Sequence, residues 1–568
     1  MQFAPTLEDI LARHDWISTF THPPDVLALF RTNEGPSPLQ SARLKASLES
    51  LRTPLAKIQS DLYLLHNAIA SLQDRMLRLQ SFENDYKTAL SPIRRVPPEI
   101  TMEIVRRAWK TNTFSNCLRG RHLSGFNVFT IREGPWHLGQ VCSSWRNVTE
   151  RLCPELWATM TVAIPLSHER EVPMKVDMVE MLRIVLERSR NHPLHFYFRY
   201  SGTKVGEREA RAMERCFHIM VSHSNRWRAV EIAIPPSLLP QLSLIHGNID
   251  WLRDMYLDCF RGSPSGDIHA FEIAPRLEIL HLKGMHPGAR ISFPTNNLVS
   301  FSDERPFAGD RRTLEYLDIV KSSPKLHSFS YNDYGGSLIS IPFTIPDKIV
   351  SESIEELSTS SPSFMRSLVL PSLKEVTLTT MYDLDMGGEL IKCPVGALGA
   401  LHEMLAQSQC SLTRLCLVDV VLDNNLASIM RLMPGLQEFV VEFFEWVPDV
   451  YDPVMLSLVA QMSELSLVDG SRQHSMVPFL QTLGVYLNTI EYTHVSFINS
   501  TFVNMVASRL RRPSDAPRLT KLNLLVNGVG WSYGLDEESE NALINLKSEG
   551  LELDFDLNDE DPLSESDE

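Results

Sequence analysis

The residues of this 568-residue chain whose types and spacing could do chemistry are a few cysteines and histidines. Cys216, His218 and His223 come nearest to a metal-binding group. On a helix Cys216 and His223 share a face while His218 points away, so the set lacks a fourth ligand and the geometry zinc requires. His192 and His195 flank an expected strand and read as partly buried polar residues rather than ligands. Cys142 could be called a nucleophile, but no histidine or acid stands beside it in a matching motif, and its place on an apolar helical face makes it a packing residue. Phosphate-cradling loops are absent: Gly528, Gly530 and Gly534 have the wrong spacing and no strand–turn–helix context. No G-x-S-x-G turn occurs either. The chain therefore reads as a non-enzyme that uses no cofactor and no metal.

What remains is a set of elements suited to holding other molecules. Around residue 100 the chain reads Val96-Pro97-Pro98-Glu99-Ile100. Proline fixes φ and needs no donor in a first turn, so the pair suits a helix start. Glu99 and Glu103 then fall where the helix dipole favours negative charge. Ile100, Ile104, Val105 and Trp109 follow at helical spacing, which predicts an amphipathic helix of about three turns. A second helix is expected through Trp136, Leu138, Val141, Trp145 and Val148. The gap from Trp109 to Trp136 is rich in Gly, Asn and Arg and reads as an inserted loop.

Residues 44–79 carry a heptad pattern without a fault: Leu44, Leu48, Leu51, Leu55, Ile58, Leu62, Leu65, Ile69, Leu72, Met76 and Leu79. That period favours a coiled-coil seam. Pro54 lies inside it, so either the helix kinks there or Thr53 caps a helix that begins at Pro54. The stripe can pair with a second copy or fold against Leu7, Ile10 and Leu11 of the N-terminal arm; both remain open.

From about residue 190 the texture changes to short strands. A unit of the form L-x-x-L-x-L, with conservative swaps, recurs ten times, starting at Trp227, Leu252, Leu277, Leu326, Leu373, Leu412, Leu436, Met462, Leu487 and Leu519. Many starts lie 24 to 26 residues apart. Five follow a proline two residues earlier (Pro275, Pro324, Pro371, Pro434, Pro517), which ends the preceding segment. Residues 335–365 and 382–410 break the period. A fixed repeat of this length marks a leucine-rich-repeat solenoid, with one parallel strand per repeat. The residues between the buried positions would line its open face: Glu231, Tyr256, His281, Ser330, Thr377, Glu438, Glu464, Glu491 and Asn523 are the candidates for target contact.

Composition sets the class. Hydrophobic residues make up 43% and charged residues 22%, the profile of a folded chain too long for one compact core. The net charge of −16 argues against general nucleic-acid or anionic-membrane binding. Residues 91–151 are the exception, with 10 Lys+Arg against 4 Glu, and that suits an acidic partner. Eight scattered cysteines without a C-x-x-C pair read as reduced thiols in a cytoplasmic or nuclear protein. The tail after Leu553 is acidic and reads as a solvated end.

The ordered set Pro97-Pro98-Glu99-Ile100, then Val141-Cys142-Ser143-Ser144-Trp145-Arg146, then Leu156-Trp157 resembles the F-box. The heptad helix, Ser91-Pro92-Ile93-Arg94-Arg95, Leu186-Glu187-Arg188-Ser189 and Ser224-Asn225-Arg226-Trp227-Arg228 extend the likeness to F-box proteins of the mushroom-forming-fungus type. The resemblance implies a substrate receptor of an SCF-type cullin ubiquitin ligase, with adaptor contacts at Pro97, Ile100, Ile104, Leu138, Val141, Cys142 and Trp145, and Trp157 closing the module's own core. Partners would be the adaptor, through it cullin, and a target protein. The alternative is a repeat-based interaction scaffold not coupled to ubiquitin ligase. The expected architecture is α/β: an N-terminal helical arm (1–43), a heptad helix (44–90), an F-box-like helical module (91–160), an irregular leucine-rich-repeat solenoid (190–555) and an acidic tail (556–568).

Overall fold

In the computed structural model of the chain, the described residues are 6–30, 35–92, 96–112, 125–132, 134–164, 177–200, 206–259, 266–286, 289–304, 311–331, 348–379, 393–468, 471–512 and 517–559. They form two compact units, Met1–Ile100 and Thr101–Glu568.

The first unit is built on one 53-residue helix, Pro38–Leu90. Ser37 caps it, its side chain accepting from the Gln40 amide while the Gln40 side chain accepts from the Ser37 amide. The helix runs through Pro54 and does not begin there. A single proline inside a helix costs about 3 kcal/mol, and the helix nevertheless continues unbroken on both sides of Pro54. The arm is tied to the helix at Asp61, which is buried and accepts from Arg13 Nη1 at 3.0 Å and lies 2.9 Å from His14 Nε2.

The second unit is organised by a fifteen-stranded parallel sheet in which every strand pairs with the next one along the chain. The strands are β1 (Phe126–Asn127), β2 (Thr159–Ala163), β3 (Leu194–Arg199), β4 (Trp227–Ile234), β5 (Asp254–Cys259), β6 (Ile279–Lys283), β7 (Ser300–Glu304) and β8 (Ser328–Tyr331). They continue as β9 (Glu356–Thr359), β10 (Glu375–Leu378), β11 (Arg414–Val418), β12 (Glu438–Phe443), β13 (Thr482–Glu491), β14 (Lys521–Val529) and β15 (Glu552–Asp559). Alternate side chains point to opposite faces of a strand. One inward row therefore runs in register from Met160 and Phe196 through Val230, Met255, Leu280, Phe301, Phe329, Leu357, Val376, Leu415 and Phe439 to Leu483, Leu522 and Leu553. All of these are buried. Return helices close over this face; Ala397–Ser408, for instance, buries Leu398, Leu401, Met404 and Leu405 at helical spacing.

Eight of the ten expected repeat units enter this sheet. Four of the five prolines occupy the second position of a tight turn, closed by amide bonds from Leu277 to Ala274, Leu326 to Ser323, Leu373 to Leu370 and Leu436 to Met433, while Leu519 after Pro517 bonds to the Arg509 carbonyl. The other two units are corrected. Met462 ends the helix Pro448–Ser463, and Leu465–Val468 pairs antiparallel with Ser471–His474 as a hairpin outside the main sheet. The unit placed at Leu487 is out of phase: the strand's own unit is Leu480-Leu483-Val485, introduced by the same turn at Val477-Pro478. Two further strands, β7 and β9, escape the pattern because Asp303 and Thr359 occupy inward positions meant for an apolar side chain. Buried Asp303 is satisfied by Tyr316, whose hydroxyl donates at 2.7 Å.

Other boundaries move too. The described part of the expected inserted loop, residues 125–132, contains β1 and sends Phe126, Val128 and Phe129 into the core. The sheet thus starts well before residue 190. At the far end β15 takes up residues through Asp559, with Leu553, Phe555 and Leu557 alternating against Glu552, Asp554 and Asp556. A charged outer row is a normal way to protect an edge strand; residues 560–568 of the expected acidic tail lie outside the described residues.

Arg509 explains why the hairpin stays out of the sheet. It is buried and donates to the carbonyls of Met462, Met476 and Val477 at 2.8–2.9 Å, fixing both ends of the excursion. Arg509→Ala leaves those carbonyls unpaired, and we expect a loss of about 3 kcal/mol in chemical denaturation. His474, also buried, has its pKa held down at about 4 by burial and then by the charge of Arg509. The unfolded chain, with an ordinary histidine pKa of about 6.5, binds the proton more readily. Stability from this residue is therefore complete above about pH 6.5 and lost as pH falls toward 4. A His474→Gln chain should show a shallower fall in stability across that window than the native chain.

Candidate docking surfaces

The helical segment around residue 100 is built inward first. Helix Pro98–Asn112 turns Thr101 and Val105 into the core and rests Met102 and Trp109 against it. Trp157 is fully buried, and its indole donates to the Thr149 carbonyl at 2.7 Å. The Trp136 ring meets it edge-on at 4.9 Å, and Arg188 lies 4.7 Å over the Trp157 ring while pairing with Glu150 at 2.7 Å. Gly134 has φ +60°, and a Cβ there would come within 2.4 Å of Phe126 Cβ, so only glycine lets the chain turn so close to Phe126.

The expected second helix is broken. It forms as Gly134–Leu138 and Ser143–Asn147, followed by an irregular turn over Val148–Leu152. Cys142 sits before the second piece in extended backbone (φ −164°, ψ 173°), not on an apolar helical face. The cause is Gly139–Val141, whose amides bond back to Pro135, His137 and Leu138 and close the first piece.

These packing choices sort the seven nominated adaptor residues. Leu138 is buried and serves the core, a correction to its nomination as a contact. Cys142 and Trp145 are half-buried, and Trp145 leans on the core. Pro97 is exposed. Ile100, Ile104 and Val141 leave 54%, 41% and 53% of their surfaces in water. Ile131, 50% exposed, was missed because it fell in the segment read as a loop.

The outward face of the sheet offers a different chemistry. One outward row runs in register through Thr161, Tyr197, Glu231, Tyr256, His281, Ser302, Ser330, Ser358, Thr377, Cys416, Val440, Gly484, Asn523 and Asp554. Six nominated residues stand in it: Glu231, Tyr256, His281, Ser330, Thr377 and Asn523. Glu438 belongs to the neighbouring row, flanked in register by Arg414 and Thr482. Glu464 is off the sheet, at the end of helix Pro448–Ser463. Glu491 ends β13 opposite Val529; its side chain lies outside the described residues. Thr161, Tyr197, Ser302, Ser358 and Asp554 were missed because their strands fell outside the repeat pattern; Cys416 and Val440 stand on expected units but were not nominated.

The row changes character along its length. Tyr256 and His281 stack at 5.2 Å, and His281 Nε2 lies 3.4 Å from Glu304. Burial raises the Glu304 pKa, but the His281 hydrogen bond and the charges of His281 and Lys283 outweigh it, so the carboxyl titrates below its ordinary value. Beside it Asp258 is raised, by burial first. In the middle the side chains are hydroxyls: Ser300 and Ser302 on β7 pair with Ser328 and Ser330 on β8, and Ser358 follows on β9. Farther on, Tyr486 lies over Gly484 and bonds to Asn523 Nδ2 at 2.7 Å.

The chemistry-bearing residues do not assemble. Cys216 is buried, with its thiol pKa pushed up to about 12 by burial, while His218 is exposed and His223 lies 2.9 Å from the Ile219 carbonyl. Cys259 and Cys393 are likewise pushed up to about 12 by burial, so these three stay as thiols near neutral pH. Among the described residues no group of three or more His, Cys, Asp or Glu could hold a metal ion, and no helix is long and apolar enough to cross a membrane. Compared with known proteins, the chain matches no protein-family model and no curated protein.

A Cβ on Gly484 would fall 2.9 Å from the Tyr486 ring. Gly484→Ala should swing that ring away and break its bond to Asn523, at a cost of about 1 kcal/mol. Ring displacement in a structure of the variant, together with a small fall in thermal midpoint, checks this.

Proposed function

We propose that the chain is the target-recognition subunit of an SCF-type cullin ubiquitin ligase, and that its fifteen-stranded sheet is an irregular leucine-rich-repeat solenoid. The observation that carries the docking half is the exposure of Ile104 and Val141 on a segment whose Val105, Val148, Leu156 and Trp157 are fully packed. An amphipathic helix normally spends its apolar residues inward; here Ile100 and Ile104, one turn apart, are kept for a partner. The resemblance of Pro97-Pro98-Glu99-Ile100, Val141-Cys142-Ser143-Ser144-Trp145-Arg146 and Leu156-Trp157 to the F-box supports the ligase adaptor as that partner. The positive balance of residues 91–151 suits an acidic one.

Support for the solenoid is the sequential order of the strands, each reached by one return segment, and the recurrent proline turn before the strand. A target would lie across the outward row, where aromatic, hydroxyl and charged side chains alternate in a fixed frame. The chain then contributes position, not bond chemistry: adaptor at one end, target on the sheet, and ubiquitin delivered by another subunit to a lysine held within reach.

Co-purification with the adaptor tests this. Ile104→Asp and Val141→Asp alter exposed side chains, so both variants should fold and bind the adaptor at least about 100-fold more weakly. A native chain that retains no adaptor under the same conditions would overturn the reading.

A further inference from the structure

The long helix of the N-terminal unit has more apolar surface than its own unit can cover. The arm is used on the first half of the helix: Ile10 and Val26 are buried, and Asp61 anchors Arg13 and His14. There Leu44, Leu51 and Ile58 are half-buried, while the alternate seam residues Leu48 and Leu55 stay exposed. Beyond Asp61 every apolar seam residue except half-buried Leu65 is bare. Leu62, Ile69, Leu72, Met76, Leu79 and Leu90 are all exposed, on a helix that continues unbroken to Leu90.

We propose that this stretch, residues 62–90, is a self-association surface whose occupant is the same helix of a second copy of the chain. The heptad repeat is the first reason. Steps of four and three keep one stripe facing a partner helix that has the same period, and the helix itself is such a partner. Charge is the second. The positions flanking the seam are His66, Ala68, Gln73, Arg75, Gln80 and Phe82, so two copies aligned in parallel meet Ala68 with Gln73 and Arg75 with Gln80, and no like charges face each other. The remaining charges are satisfied within the helix, Asp74 with Arg78 at 3.0 Å and Glu83 with Lys87 at 2.7 Å. Glu83 follows Leu79 at a seam position, so the apolar seam ends at Leu79, and its charge is paired with Lys87.

Area is the third reason. From Leu62 to Leu79 the apolar seam spans about two and a half heptads, which on two helices removes on the order of 1,000 Å² from water, the lower end of specific interfaces. An isolated helix end of this length gains little from propensity alone, and packing of its apolar stripe is what holds such helices in water. The inference does not rest on the ligase reading. It adds that each assembly presents two outward sheet faces, which raises the apparent affinity for a target with two binding segments.

Sedimentation equilibrium of the full chain over micromolar concentrations tests it. The native chain should show twice the 64.5 kDa of one copy. A Leu72→Glu, Leu79→Glu chain should dissociate at least 100-fold more readily. A Leu64→Glu, Leu77→Glu chain, altered at exposed positions off the seam, should stay associated. Circular dichroism checks that both variants keep the native helix content. A native mass of one copy, or equal dissociation by the off-seam pair, overturns the proposal.

Discussion

The structure rests on a register constraint. In a parallel sheet whose strands follow the order of the chain, every return segment must bring the next strand back to the same level. Only then do the inward side chains of neighbouring strands meet. A slip of one residue would turn an entire strand's apolar set outward. The row from Met160 to Leu553 holds this register over fourteen strands, with aromatic contact at its centre: Phe301 and Phe329 stack at 5.5 Å, and Phe329 and Phe364 at 5.2 Å. The proline turn before the strand serves the same end, because a fixed φ sets the angle of entry. Where the chain departs from the rule, a specific group enforces the departure, as Arg509 does for the hairpin.

This constraint also decides what could be read from sequence. Strands with three apolar inward residues announce themselves, and the proline turn adds a local signal that a sequence scan can find. Strands such as β7 and β9 cannot be found this way, because polar Asp303 and Thr359 take inward positions and are satisfied there by Tyr316 and by the Ser361 amide. The unit at Met462 fails for the opposite reason. Its spacing is correct, but Met462 already serves a helix, and local spacing holds no information about which of two structures wins. The acidic end was misread through composition: alternation of Leu, Phe and Leu with acids from Glu552 onward is a half-buried strand, and period carries more weight than net charge.

For the candidate surfaces the sequence located the elements but not which side chains they spend on the core. Leu138 and Val141 are equally apolar and three residues apart, yet one is buried and the other is offered to solvent. The break at Gly139–Val141 makes the difference. On the sheet the outward row follows once register is known, so six nominations fall in line while Glu464 leaves with its hairpin. The helical segment leaves Ile104 and Val141 in water beside a well-filled aromatic core, and the sheet presents a polar face whose composition changes strand by strand.

Hydrogen–deuterium exchange of the native chain, with and without the ligase adaptor, tests the central claim most directly. The account predicts new protection confined to residues 98–109 and 139–147, with the strands unchanged. Exchange that is unaltered by the adaptor, or protection confined to the outward face of the sheet, would contradict it.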